Sequence, residues 1–119
     1  MVRTTPSNIT ELADDEVFVF GSNASGEHGA GAAQVAHERF GAEWGVGEGL
    51  TGRTYALPTM EGEESFRAAV THFLDVAASL PQLTFLLTKV GCGIAGYDED
   101  RVKQWFADAP ENVVRPPGW

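Results

Sequence analysis

The chain has 119 residues, 43% of them hydrophobic and 21% charged, an ordinary globular balance that excludes a disordered polypeptide. Eight Lys and Arg against 17 Asp and Glu give a net charge of −9. That charge argues against a nucleic-acid groove or an anionic membrane surface, because both call for a basic footprint. The length suits one domain over residues 1–119 with a core of its own.

The single cysteine, Cys92, excludes an internal disulfide and a cysteine-cluster zinc site, and a free thiol fits a reducing, cytoplasmic setting. Met1 to Glu16 holds no apolar run, and no stretch approaches the roughly 20 apolar residues of a membrane span. No signal peptide and no membrane segment are expected. No His or Cys pair stands at metal-ligand spacing, so no metal or cofactor is expected.

In chain order, Val17-Phe18-Val19-Phe20 reads as a buried strand ended by Gly21. Gly21 to Gly31 is loop. Ala32 to Phe40 sets Ala32, Ala36 and Phe40 on one stripe, which predicts a helix stopped by Gly41. Glu43 to Arg53 reads as a glycine-rich connection, and Thr54 to Leu57 as a second strand closed by Pro58. From Glu63 to Leu80, Phe66, Val70, Phe73, Ala77 and Leu80 recur at helical steps before Pro81. Thr84 to Val90 reads as a strand. Asp98 can cap a helix from Glu99 to Ala107, and Val113-Val114 is a last short strand. Strands and helices alternate and the strands are apolar throughout, which predicts a largely parallel sheet covered on both faces.

Glycine is the unusual residue: there are 14, nine of them between Gly21 and Gly52. Two glycine loops share one design, strand then loop then helix: Gly21 to Gly31, and Gly91-Cys92-Gly93-Ile94-Ala95-Gly96-Tyr97. In a parallel sheet both lie at carboxyl ends of strands, where open α/β sheets bind ligands. Glycine lets backbone approach a ligand, and free N–H groups at a helix N-terminus attract anions. An acidic chain can bind phosphate this way, because local amides supply the donors. Two such loops facing each other suit a diphosphate.

Two motifs fail on context. Gly91-x-Gly93-x-x-Gly96 matches a dinucleotide fingerprint, but the acidic residue expected about 20 positions on is replaced by Val114-Arg115-Pro116-Pro117. Gly47-x-x-x-x-Gly52-Arg53-Thr54 imitates a P-loop, yet it runs into Tyr55-Ala56-Leu57-Pro58 rather than a helix.

Three segments resemble the macrodomain family, the ADP-ribose-binding fold. Ser7-Asn8-Ile9-Thr10 resembles its Gly-Asp-Ile-Thr, Asn23-x-x-x-Glu27-His28-Gly29-x-Gly31-x-Ala33 resembles its first phosphate loop, and Gly93-Ile94-Ala95-Gly96 resembles its second. The resemblance implies a three-layer α/β/α fold with a mixed, mostly parallel sheet. It implies that Asn8 and Ile9 stand at the adenine and Asn23 at the distal ribose. Gly29, Ala30, Gly31 and Ala32 would line one phosphate loop, and Gly91, Cys92, Gly93, Ile94, Ala95 and Gly96 would wrap the diphosphate. Tyr97 would substitute for an aromatic missing at Ala95, and Trp119 would stand against adenine. The implied partner is ADP-ribose or an ADP-ribosylated macromolecule. The aspartates that members use for hydrolysis are replaced near Ala33 and at Ala95. An ADP-ribosyl hydrolase or ADP-ribose 1''-phosphate phosphatase would then rest on Asn23 and His28. Asn8 and Ala95 leave open a second reading, an interaction domain that keeps the fold without the nucleotide.

Several residues carry a simpler reading. Without the resemblance, His28 can be a loop histidine bonded to backbone, while His37 and His72 lie on helix surfaces. Cys92 lines or packs the loop, having no base partner in view. Glu61, Glu63 and Glu64 form an acidic helix start. Trp44 and Trp105 read as core.

Overall fold

The computed structural model describes residues 3–6, 8–29, 31–93 and 95–119. β1 (Glu16–Ser22) grows from the Val-Phe-Val-Phe run and forms the centre of a five-stranded sheet. It pairs in parallel with β3 (Thr54–Pro58) on one side and β4 (Thr84–Leu87) on the other. β5 (Val113–Val114) continues in parallel beyond β4, and the N-terminal segment adds a parallel bridge from Thr4 to Arg115. β2 (Gly49–Thr51) closes the other edge, antiparallel to β3. The molecule is therefore an α/β protein on a mixed sheet, ordered β2-β3-β1-β4-β5.

Side chains alternate along β1 and feed two cores. Val17 and Val19 join Tyr55, Leu57 and the apolar face of α2 (Glu63–Ser79). Phe18 and Phe20 join Ala56, the inner face of α1 (Gly31–Arg39) through Ala33 and Ala36, and Phe40 just after it. α2 has the three- and four-residue period read from the sequence, and Glu63 and Glu64 lie in its first turn. α3 (Glu99–Val102) starts at Asp98, whose side chain accepts from the Asp100 N–H, and tightens into a 3-10 turn over Lys103–Phe106. Asn112 ties the segment before β5 to the end of α2 and the turn that follows it: its Nδ2 donates to the carbonyls of Ala77, Leu80 and Leu83 at 2.8–3.1 Å. Among the described residues no helix is long and apolar enough to cross a membrane.

The structure changes two expected elements. The connection over Glu43 to Arg53 contains β2, because Gly52-Arg53 closes a tight hairpin that pairs Thr51 with Thr54. β4 stops at Leu87 rather than Val90. There Thr88 turns both its N–H and its Oγ1 onto the Val19 carbonyl, at 3.2 and 2.7 Å. The Val90 N–H then closes on the Thr88 carbonyl at 2.8 Å, which takes the chain out of the ladder.

Candidate functional site

The carboxyl ends of β1, β3 and β4 open into one cleft of about 560 Å³. That volume lies within the ordinary range for small-molecule sites. The first glycine loop contributes Asn23, Glu27, Gly29 and Gly31, and α1 continues the wall with Ala32 and Ala33. The second glycine loop contributes Gly91, Gly93 and Ala95 after the neighbouring strand β4. Between them lie Gly21 and Ser22 at the end of β1, Thr59 and Met60 after β3, and Thr88 to Val90 after β4. A Cβ built on Gly21 would come within 3.6 Å of the Gly91 nitrogen, so the two loops leave the sheet side by side.

The first loop is shaped by its own side chains and by a segment far along the chain. Asn23 Oδ1 accepts from Ser25 Oγ and from the Glu27 N–H, both at 3.0 Å. The Ala24 N–H donates to the Glu61 carboxylate at 2.9 Å. Residues 45–47 lie against the loop. The Gly45 N–H donates to the Gly26 carbonyl at 2.9 Å, and Ser22 Oγ donates to the Gly47 carbonyl at 2.9 Å. Gly26, at φ +70°, has no room for a side chain, since a Cβ there would sit 2.4 Å from Gly45. In the second loop the Tyr97 N–H closes on the Gly91 carbonyl at 2.8 Å, over the buried ring of Phe66.

The polar lining is mostly committed inward. Ser22 Oγ is held by Gly47, Thr59 Oγ1 donates to the Ser22 carbonyl, and Thr88 Oγ1 donates to the Val19 carbonyl. The rest of the polar lining is backbone, Asn23, Glu27 and Lys89. The Lys89 ammonium stands 3.2 Å from Glu99. The first turn of α1 lies in the wall, where N–H groups have no partner within the helix, and it carries no acidic residue. This arrangement can receive an anion through amide donors and a helix dipole.

The expected site residues divide into three groups. Asn23, Gly29, Gly31, Ala32, Gly91, Gly93 and Ala95 come together around the cleft. Ala30 and Ile94 lie outside the described residues. The others sit elsewhere. His28 is 1% exposed beneath the first loop, wedged against Phe20 and Trp44. Its Nε2 donates to the Glu43 carbonyl at 2.9 Å, which leaves Nδ1 buried without a partner. Asn8 is exposed and Ile9 packs on the α1 side of the sheet; neither lines the cleft. Tyr97 sets its ring edge-on to Phe66, and Cys92 packs on the α2 core with its thiol toward the Val90 carbonyl. Burial, then the charge of Glu99, pushes that thiol's pKa up, the reverse of what a nucleophile needs. Gly96, beside Tyr97, also lies outside the lining. Trp119 lines a separate hollow with Arg3 and Arg115 and donates from Nε1 to Glu99 at 3.2 Å. That hydrogen bond, with the Lys89 bond, holds the Glu99 carboxyl below its ordinary pKa.

Trp44 corrects the sequence reading. Expected in the core, it is 55% exposed at the cleft. Met60, Thr59, Thr88 and Lys89 were also not singled out. For Thr59 and Met60 the signal was available, since they follow β3, whose carboxyl end the parallel arrangement puts at the ligand edge; Thr88 and Lys89 stood inside the expected strand Thr84 to Val90. Among the described residues no group of three or more His, Cys, Asp or Glu could hold a metal ion. The chain matches no protein-family model, no curated protein and no solved structure.

Proposed function

We propose that this chain binds ADP-ribose, or an ADP-ribose derivative such as an ADP-ribosylated macromolecule, in a macrodomain-like three-layer fold. The observation that carries the reading is that two glycine loops, 70 residues apart in sequence at Gly21 and Gly91, wall a single cleft together with the first turn of α1. A pyrophosphate between them would meet backbone N–H groups from both loops and the positive end of the helix. Lys89 supplies a cation at the same edge. Binding needs no catalytic acid, which suits alanine at both 33 and 95 and the burial of His28 under Trp44.

The test is the melting temperature of the full chain against ADP-ribose. Ligand at 100 times Kd adds about 2.7 kcal/mol, a rise of roughly 10 °C for a domain of this size. Gly93→Glu places a carboxylate where a side chain meets no neighbouring atom within 4 Å, so it removes the shift while keeping the unliganded melting temperature. No shift in the wild type up to millimolar ADP-ribose refutes the reading. Release of ADP-ribose from modified protein or DNA, or of phosphate from ADP-ribose 1''-phosphate, would make the site an enzyme's.

A further inference from the structure

Building on the ADP-ribose reading, we propose that the nucleobase of the ligand stacks on Trp44 at the mouth of the cleft, with Met60 completing the apolar contact. Three large apolar side chains are exposed among the described residues: Trp44 at 55%, Leu50 at 43% and Met60 at 47%. Leu50 belongs to the edge strand β2, whereas Trp44 and Met60 both line the cleft. Exposed apolar surface gathered at a concave site marks a place that something covers.

The indole is also held in place. It meets the rings of His28 and His37 edge-on, at centroid distances of 6.1 and 5.5 Å. Its outer edge would lie 3.8 Å from a Cβ on Gly29, so it stands beside the loop assigned to the phosphates. A rigid aromatic ring beside the first glycine loop suits a ligand that carries a flat base a short distance from a diphosphate. A thioether adds a polarizable surface of adaptable shape. The other aromatics near the second loop are engaged elsewhere. Trp119 packs on Phe106 and bonds Glu99, and Tyr97 packs on Phe66 and Trp105. Neither lines the cleft.

The experiment titrates the full chain and its variants with ADP-ribose and with ribose 5-phosphate, which lacks the base. Trp44→Ala weakens ADP-ribose about 5- to 150-fold, the value of one base–aromatic stack, and leaves ribose 5-phosphate unchanged. Trp44→Phe retains most of the affinity, and Met60→Ala gives a smaller loss confined to ADP-ribose. ADP-ribose quenches the tryptophan fluorescence of the wild type. The quench disappears in Trp44→Phe and persists in Trp119→Phe. Equal weakening of both ligands in Trp44→Ala would show that the indole only props the loop, and would overturn the proposal. Wild-type affinity for ADP-ribose in Trp44→Ala, or a quench that survives Trp44→Phe, overturns it as well and leaves the ADP-ribose reading standing. A wild type that binds neither ligand refutes that reading, and the stacking assignment with it.

Discussion

Gly91 and Gly93 stand two residues apart in the same cleft wall, and replacing each by alanine separates two roles that glycine can play. Gly91 has φ +77°, and a Cβ on it would lie 2.4 and 2.7 Å from Cε2 and Cζ of Phe66. That ring has no exposure and is held by Tyr97 and Trp105 at centroid distances of 5.1 and 5.0 Å, so it cannot step aside without opening the α2 core. The left-handed backbone costs an L-residue about 1–2 kcal/mol and the overpacking about 1–3 kcal/mol. Gly91→Ala should therefore lose roughly 2–5 kcal/mol, a large part of the 5–15 kcal/mol typical of a folded domain. Gly93 has no positive φ, and a Cβ there meets nothing within 4 Å. Gly93→Ala should stay within about 0.5 kcal/mol of wild type. Urea unfolding followed by circular dichroism reads both, with an unchanged slope showing that native and unfolded compactness are kept. A Gly91→Ala protein as stable as wild type, or equal losses at the two positions, would refute the account of how the second loop is seated on Phe66.

Asn112→Ala should cost about 2 kcal/mol, because it removes the donor shared by three carbonyls around the end of α2, and Asn112→Asp should cost more by placing acceptors against them; equal stability of the two variants on urea unfolding would contradict this. Glu16 accepts from the Ala13 N–H and from Arg3, which hold its carboxyl below the ordinary 4.5. Its stabilisation is complete above that value and is lost as pH falls through the lower folded pKa, so Glu16→Gln should flatten the acid side of a melting-temperature profile, and an unchanged acid limb argues against the assignment. Cys92, with its pKa raised by burial, should alkylate with iodoacetamide at pH 7.5 several-fold more slowly than free glutathione, and faster labelling than glutathione would reverse the reading of a packed thiol.

Local sequence carried the elements whose own residues specify them. Val17 to Phe20 is apolar on both faces, and the strand does feed both cores. The three- and four-residue spacing from Phe66 to Ala77 is the buried stripe of α2. β2 left no such trace, because Gly49-Leu50-Thr51 has no apolar run and its pairing depends on the Gly52-Arg53 hairpin and on β3. The burial of His28 and the exposure of Trp44 were not legible for a related reason. Neither is set by its neighbours in sequence. Residues 43–47 fold back over 22–28 through Gly45 on Gly26 and Ser22 on Gly47, burying the histidine and leaving the indole outside. That close approach requires two bare backbones, so the clustered glycines were its only local sign. The convergence of the two loops was legible for a different reason: both follow parallel strands, and parallel strands put their carboxyl ends at one edge.

The inward commitment of Ser22, Thr59 and Thr88 bears on how an acidic chain can hold an anion. Each of these hydroxyls donates to a backbone carbonyl, Ser22 to Gly47, Thr59 to Ser22 and Thr88 to Val19, so it fixes the loops rather than facing a ligand. On the proposed reading the phosphates would be met by main-chain N–H groups, which carry no net charge. The formal charge of −9 acts over distances that salt screens beyond about 8 Å, whereas amide donors act at contact. On that reading the two effects would govern different steps: the acidic surface would slow the approach of an anion, and the amides would hold its phosphates once inside. Holding phosphates through amides would make that part of the site insensitive to most side-chain changes along the wall, those at Trp44 and Met60 excepted. It would be sensitive to whatever moves the backbone, which includes the contacts that seat the glycines at Phe66, Gly45 and Gly47.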